Sequence, residues 1–208
     1  MQVRPYDERD GSRIWLSREE QAQLQAAPGD DYPRRRIAFE LGLHGLRSDE
    51  VASVEFGHVR TLDDGEDEQH VLIIPDGKTG RRRVPIDADL RKRIKFLKSA
   101  NRASLDDRVV DVATRTMRSW MSKTREELAE RTENDEWHDL GMHDLRRTFA
   151  TDTFYTLAYQ GVPIAEELTM AFGGWKMTST GRETFREHYL GPVPDHITRQ
   201  AAENLAFG

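Results

Sequence analysis

The sequence predicts an α+β fold, predominantly α-helical with a small three-stranded antiparallel sheet near the front. Three observations predict it. Apolar residues recur at three- and four-residue spacing over most of the chain, the period of a helix with one buried face. Between residues 53 and 86 that period gives way to short β-branched runs around Asp76-Gly77-Lys78-Thr79-Gly80, where Asp-Gly and a second Gly permit the positive φ of a hairpin turn. With 208 residues and no internal repeat or long linker, one domain is expected.

The elements follow in order. Ser17-Arg18-Glu19-Glu20 is a capping box opening a helix that ends before Pro28. Arg34 to about His44 reads as a helix with Ile37, Phe39 and Leu41 inward, and a short helix starts near Ser48. Strands are expected over Ser53–Val59, Gln69–Pro75 and Arg81–Ile86, the first two joined by the acidic turn Asp63-Asp64-Gly65-Glu66. Asp87–Ser99 is a helix with Leu90, Ile94 and Leu97 on one stripe. Further helices are expected over Thr114–Arg131, Met142–Tyr159, Pro163–Phe172, Thr180–Leu190 and Asp195–Leu205.

Composition excludes several classes. There is no Cys, hence no disulfide scaffold, Cys-ligated zinc or thiol nucleophile, and the chain suits a reducing, cytoplasmic compartment. No apolar run approaches the roughly 20 residues of a membrane span. No P-loop and no clustered carboxylate set for magnesium is present, so neither nucleotide nor metal is implied. The formal net charge of −6 argues against a nucleic-acid partner, but its distribution argues the other way. From Asp76 to Arg102 ten basic residues face three acids, a window of +7 that leaves −13 for the rest. Such a stripe suits phosphates and also suits a solvated helix face. Arg outnumbers Lys 25 to 6 beside an acid excess, a composition compatible with a salt-adapted, archaeal host.

Four local patterns carry chemistry. In His143-Asp144-Leu145-Arg146-Arg147-Thr148-Phe149, His143 and Arg146 share a helix face, which puts a proton acceptor beside a guanidinium. In Gly45-Leu46-Arg47-Ser48-Asp49-Glu50, the Gly lets the chain turn sharply and Glu50 can orient Arg47. Lys78 sits at a Gly-flanked hairpin tip, and Tyr189 lies near the end of a helix stopped by Gly191-Pro192. Each alone also reads as ordinary structure: a helix cap, a solvated turn lysine, a packed tyrosine. Phe172-Gly173-Gly174-Trp175 reads most simply as core packing after a Gly break.

Taken in order, these patterns resemble the tyrosine recombinase (phage integrase) family. Gly45–Glu50 is similar to its first-arginine box, and Lys78 to its β-hairpin lysine. His143 to Thr151 resembles its second box almost residue for residue, and Trp15–Glu20 resembles the opening of its catalytic domain. The resemblance covers about residues 14–190 of the single domain 1–208. Trp175 stands where the family often has His, and the step from Trp175 to Tyr189 is 14 residues, longer than in the commonest members. The N-terminal core-binding domain usual in the family is expected to be absent.

The resemblance implies a tyrosine recombinase catalytic-domain architecture and a site-specific recombinase or integrase that needs no cofactor. In it Tyr189 attacks a DNA phosphate to give a 3′-phosphotyrosine. Arg47 and Arg146 clamp the phosphate, His143 takes the tyrosine proton, Lys78 protonates the leaving 5′-oxygen, Trp175 donates to the phosphate or packs the site, and Glu50 orients Arg47. Arg81, Arg82, Arg83, Arg91, Lys92 and Lys95 are the expected DNA-binding residues. Double-stranded DNA is the partner, with self-association on it as a tetramer, residues 191–208 exchanged between protomers, and the protein nucleoid-associated when bound. A type IB-like topoisomerase or resolvase, or a catalytically incompetent DNA-binding fragment, remains open at this point.

Overall fold

The structure is a computed structural model describing residues 1–8, 10–62 and 68–205. The predicted acidic turn at 63–66 lies outside the described residues. The chain opens with an antiparallel hairpin, β1 (Gln2–Pro5) and β2 (Ser12–Trp15), that the sequence reading did not anticipate. Then come α1 (Arg18–Ala26), α2 (Pro33–Leu43) and α3 (Ser48–Ser53). The three-stranded antiparallel sheet follows, in the order β3 (Val59–Leu62), β4 (Gln69–Gly77) and β5 (Gly80–Ile86). The rest is helical: α4 (Ala88–Ala100), α5 (Thr114–Thr132), α6 (Met142–Tyr159), α7 (Ala165–Gly173), α8 (Ser179–His188) and α9 (Asp195–Leu205).

The capping box at α1 forms as its sequence dictates. Ser17 Oγ accepts from the Glu20 amide, and Glu20 accepts from the Ser17 amide at 2.8 Å. Helix α2 runs through the middle of the core, with Ile37, Ala38, Phe39 and Leu41 all but inaccessible. Its Gly42 lets α6 approach closely, since a Cβ there would meet Leu145 Cδ1 at 2.8 Å. Leu72 on β4 and Val84 on β5 pair directly and turn into the same core, as do Leu90, Ile94 and Leu97 of α4. A separate, smaller cluster of Ala150, Met170, Trp175 and Phe185 joins α6, α7 and α8, with Tyr189 packed against it.

Two sequence-based expectations need correction. The strand predicted over Ser53–Val59 begins only at Val59. Residues up to Ser53 finish α3, and Phe56–His58 form a 3-10 turn. The amides of Phe56 and Gly57 donate to Asp107 O at 3.1 Å and Leu105 O at 2.7 Å, so a loop claims the backbone that a ladder would need. The hairpin loop is also tighter than predicted. Gly77 pairs with Gly80, only Lys78 and Thr79 turn, and Pro75 sits where the register slips between Ile74 and Gly77, a position that needs no ladder N–H.

Candidate active site

Arg47 is placed by the connection from α2 to α3. Gly45 adopts φ +85, and any Cβ there would strike the Phe149 ring at 2.5 Å, so only Gly allows this turn beneath α6. Arg47 then takes the N-cap position of α3. Its amide donates to Glu50 Oε2 at 2.8 Å, and its guanidinium donates to Glu50 Oε1 at 3.0 Å and to Gly174 O at 3.1 Å. Glu50 therefore orients Arg47 by backbone and side chain together.

Glu50 is shared. Arg82 reaches it as a bidentate fork, at 2.7 Å to Oε1 and 2.8 Å to Oε2, while Arg82 Nε donates to Phe172 O at 2.9 Å. This corrects the placing of Arg82 among DNA-binding residues. Along β5, residues 82, 84 and 86 face inward and 81, 83 and 85 outward, so Arg82 is 8% exposed and its fork is spent on Glu50. Burial raises the Glu50 carboxyl, but the hydrogen bonds and charges of Arg82 and Arg47 outweigh it and hold the group below its ordinary value.

The hairpin tip comes to the same point. Thr79 Oγ1 donates to Gly174 O at 3.2 Å, so one carbonyl ties the hairpin turn and Arg47 together, and Lys78, the residue before Thr79, is exposed. Gly174 itself is the left-handed C-cap of α7 at φ +72, and the turn it makes drives Trp175 into the small core.

On α6, Arg146 is completely buried. One terminal nitrogen donates to Gly45 O and to Gly173 O, the latter at 2.6 Å, so both Gly turns are fastened to it. Its guanidinium lies 3.9 Å from the Trp175 ring centroid and 5.6 Å from that of Tyr189. Its Nε and Nη2, and the Trp175 Nε1, are buried without a hydrogen-bond partner among the described residues. Orphaned donors of this kind are costly unless an anion or water meets them. Burial and the Arg47 charge both lower the Arg146 pKa, whereas Tyr189 and Glu50 counteract them.

Tyr189 follows the last residue of α8, and its carbonyl accepts from Trp15 Nε1 at 2.9 Å and Thr151 Oγ1 at 3.2 Å. Its ring packs edge-on to Trp175 at 4.8 Å and to His143 at 5.3 Å. The 14-residue step from Trp175 is thus absorbed by a short loop and α8, with the two rings in contact at its ends. His143 borders two cavities. One of about 350 Å³ includes Arg47, Arg118 and Arg146, and one of about 590 Å³ includes Arg13, Arg147, His188 and Tyr189. The ring is partly open to solvent, yet desolvation of its protein-facing side, followed by the charges of Arg147, Arg146 and Arg47, pushes its pKa down to about 4. His143 is then neutral at pH 7 and able to accept a proton.

The structure brings Arg47, Glu50, His143, Arg146, Trp175 and Tyr189 into one cluster, while Lys78 stands exposed in the hairpin turn next to Thr79. It does not bring all the predicted basic residues there. Arg81 and Arg83 line a cavity of about 1040 Å³ with Trp175 and Lys176. Arg91 and Lys95 border a different, small cavity with Phe56 and Val59; Arg91 lies 3.9 Å from Glu68, and Lys92 pairs with Asp89 at 3.1 Å. Sequence reasoning missed Arg13, Tyr6 and the inward role of Arg82. The alternation of β5 was the available signal for Arg82; nothing in the sequence points to the β1–β2 hairpin flanking Tyr189. Among the described residues there is no cluster able to hold a metal ion and no helix long and apolar enough to cross a membrane.

No protein-family model and no curated protein matches the chain. Solved structures do. A structure of XerA recombinase is 18% identical with a TM-score of 0.61, covering 93% of this chain and 65% of that one. The XerH site-specific recombinase bound to difH substrate, in a pre-cleavage complex, is 17% identical with a TM-score of 0.58, covering 93% and 55%. The Tn1549 transposon integrase in complex with transposon right end DNA is 16% identical with a TM-score of 0.57, covering 97% and 69%. The chain spans 65% and 55% of the length of the first two. Matching these proteins over nearly all of its length, the chain has the fold of a tyrosine recombinase catalytic domain.

Proposed function

We propose that this domain cleaves and rejoins DNA strands through a 3′-phosphotyrosine on Tyr189, as the catalytic domain of a site-specific recombinase or integrase. One observation carries the reading. The unpaired donors of Arg146 and Trp175 lie in the same stacked cluster as the Tyr189 ring, which suits a phosphate beside a phenol. The fold shared with recombinases supports it.

In this mechanism Arg146 and Arg47 hold the non-bridging oxygens, and their charge counters the charge that develops in the pentacoordinate transition state. Neutral His143 takes the Tyr189 proton as its oxygen attacks phosphorus. Lys78 delivers a proton to the departing 5′-oxygen, and Trp175 donates its indole N–H to a phosphate oxygen. A 5′-hydroxyl from a second strand reverses the step and completes the exchange. The steps require no metal or nucleotide. Arg81 and Arg83, on the outer face of β5, contact the DNA backbone. Helix α9, whose Ile197 is buried, packs on α6 of its own chain, and on DNA residues 191–208 pass to a neighbouring protomer of a tetramer. The protein acts in the cytoplasm, on the nucleoid.

The test is capture of covalent protein–DNA adducts from a pool of nicked duplexes with a randomised centre, in chelator. Recovered sequences sharing a site, and strand exchange between two duplexes bearing it, support a recombinase. Relaxation of supercoils without exchange would make the protein a topoisomerase-like enzyme instead.

A further inference from the structure

Arg147 is buried, and the chemistry just proposed does not use it. Its side chain makes three separate connections. Nε donates at 3.1 Å to the carbonyl of His188, the last residue of α8. One terminal nitrogen bonds Asp144, and the other donates at 3.0 Å to the Tyr6 hydroxyl beside the β1–β2 hairpin. Asp144 in turn accepts from the Gly141 amide at 2.9 Å, at the start of α6, and from the Ile14 amide of β2 at 3.2 Å. The His188 carbonyl belongs to the peptide that leads into Tyr189, and a cation there also meets the negative end of the α8 dipole. At the other end of the bridge, Asp144 is the residue after His143.

We propose that Arg147 is a positioning residue that pins the peptide leading into Tyr189 to the helix turn carrying His143, so that nucleophile and base keep a fixed relation. This rests on the reading of Tyr189 as nucleophile. Lysine cannot replace Arg147, because a single ammonium lacks the planar fork that reaches His188, Asp144 and Tyr6 together.

The Arg147 charge adds a second, separable effect. His143 is faced by Arg146 and Arg147 of its own helix, Arg47 at the N-cap of α3 and Asp49 within it, Arg118 of α5 and the Tyr189 ring, and across the larger cavity by Tyr6, Arg13, His188, Asp7 and Glu8. Removing the Arg147 charge raises the His143 pKa and moves the acid limb of the cleavage profile to higher pH; a lysine at this position leaves it in place.

The experiment compares Arg147→Lys, Arg147→Gln and Tyr6→Phe with the wild type. Single-turnover adduct formation on the nicked-duplex pool is followed from pH 4 to 8, alongside binding of the same pool and amide exchange in the last turn of α8. Both Arg147 variants should form the adduct roughly 10- to 100-fold more slowly, the scale of a small misplacement of reacting groups. Pool binding should hold within about 2-fold, since the buried Arg147 is no backbone contact. Amide exchange should speed up in both variants, and the acid limb should rise only in Arg147→Gln. Tyr6→Phe, which removes the hydroxyl that accepts from Arg147, should slow the adduct by a few-fold, and with Arg147→Lys it decides the matter if Arg147→Gln does not fold. Wild-type rate and exchange in Arg147→Lys, or an unmoved acid limb in a folded Arg147→Gln, would overturn the proposal. Absence of any wild-type adduct would overturn the role of Tyr189, while amide exchange would still report whether Arg147 pins α8.

Discussion

Glu50 receives both terminal nitrogens of Arg82, at 2.7 and 2.8 Å, while its Oε1 also accepts from Arg47 at 3.0 Å. One buried carboxylate thus ties a sheet residue to the arginine proposed to hold the phosphate. Arg82 also fastens Phe172 O, so β5, α3 and the C-terminal end of α7 are set relative to one another by one ion-paired group.

Arg82→Ala should therefore cost stability rather than DNA affinity. Breaking a buried, hydrogen-bonded pair costs about 3 kcal/mol. Glu50 titrates below its ordinary 4.5 in the folded chain, so the contribution is fully present above that value and is lost as pH falls through the lower, folded one. Denaturant unfolding at pH 7 and below pH 4 checks this. The gap between wild type and variant should narrow in acid, and a gap that widens contradicts the pairing.

Arg146→Ala and Arg146→Lys should each lower adduct formation by about 10² or more, the scale of losing an oxyanion donor. Lysine should fail because it cannot hold the Gly45 and Gly173 carbonyls and a phosphate together. Near-wild-type cleavage by Arg146→Lys would remove the clamp role.

His143 should titrate near pH 4 in the free protein, because desolvation of the protein-facing side of its ring and three guanidiniums disfavour its cation. Ring-proton NMR measures this directly. Inorganic phosphate seated at Arg146 should raise the value by adding a negative neighbour. A midpoint at or above the ordinary 6.5 in the free protein would show that His143 does not face the three arginines.

Arg81 and Arg83 should contribute to the salt dependence of DNA binding, and Arg82 should not. Replacing both outward residues with Ala should reduce the slope of log affinity against log salt by about 2, roughly 0.9 for each phosphate that is no longer neutralised. The slope for Arg82→Ala should stay at the wild-type value. Equal effects of all three would mean that β5 does not face DNA as its alternation indicates.

Most helices were legible because their apolar stripes and caps are local. The capping box at Ser17 and the stripe Leu90, Ile94, Leu97 come out as read. So do the bounds of α6, whose box carries His143 and Arg146. The β1–β2 hairpin was not legible, since each strand has only four residues, and β2 with Leu16 after it is held by Tyr189, Asp144 and Thr148, far along the chain. The misplaced first strand has the same cause: its backbone donors are claimed by residues 105 and 107. Within the site, the −6 net charge and the +7 window were both too coarse for Arg82. Only the direction its side chain takes from β5 separates a structural arginine from the exposed Arg81 and Arg83 beside it.

The most direct test of the account is the identity of the covalent link. The chain is incubated with the nicked-duplex pool, denatured, and mapped by mass spectrometry of the DNA-linked peptide. The account predicts a 3′-phosphate ester on Tyr189, lost in Tyr189→Phe and retained in the neighbouring His188→Gln. An adduct that persists in Tyr189→Phe, or that maps to another residue, would contradict it.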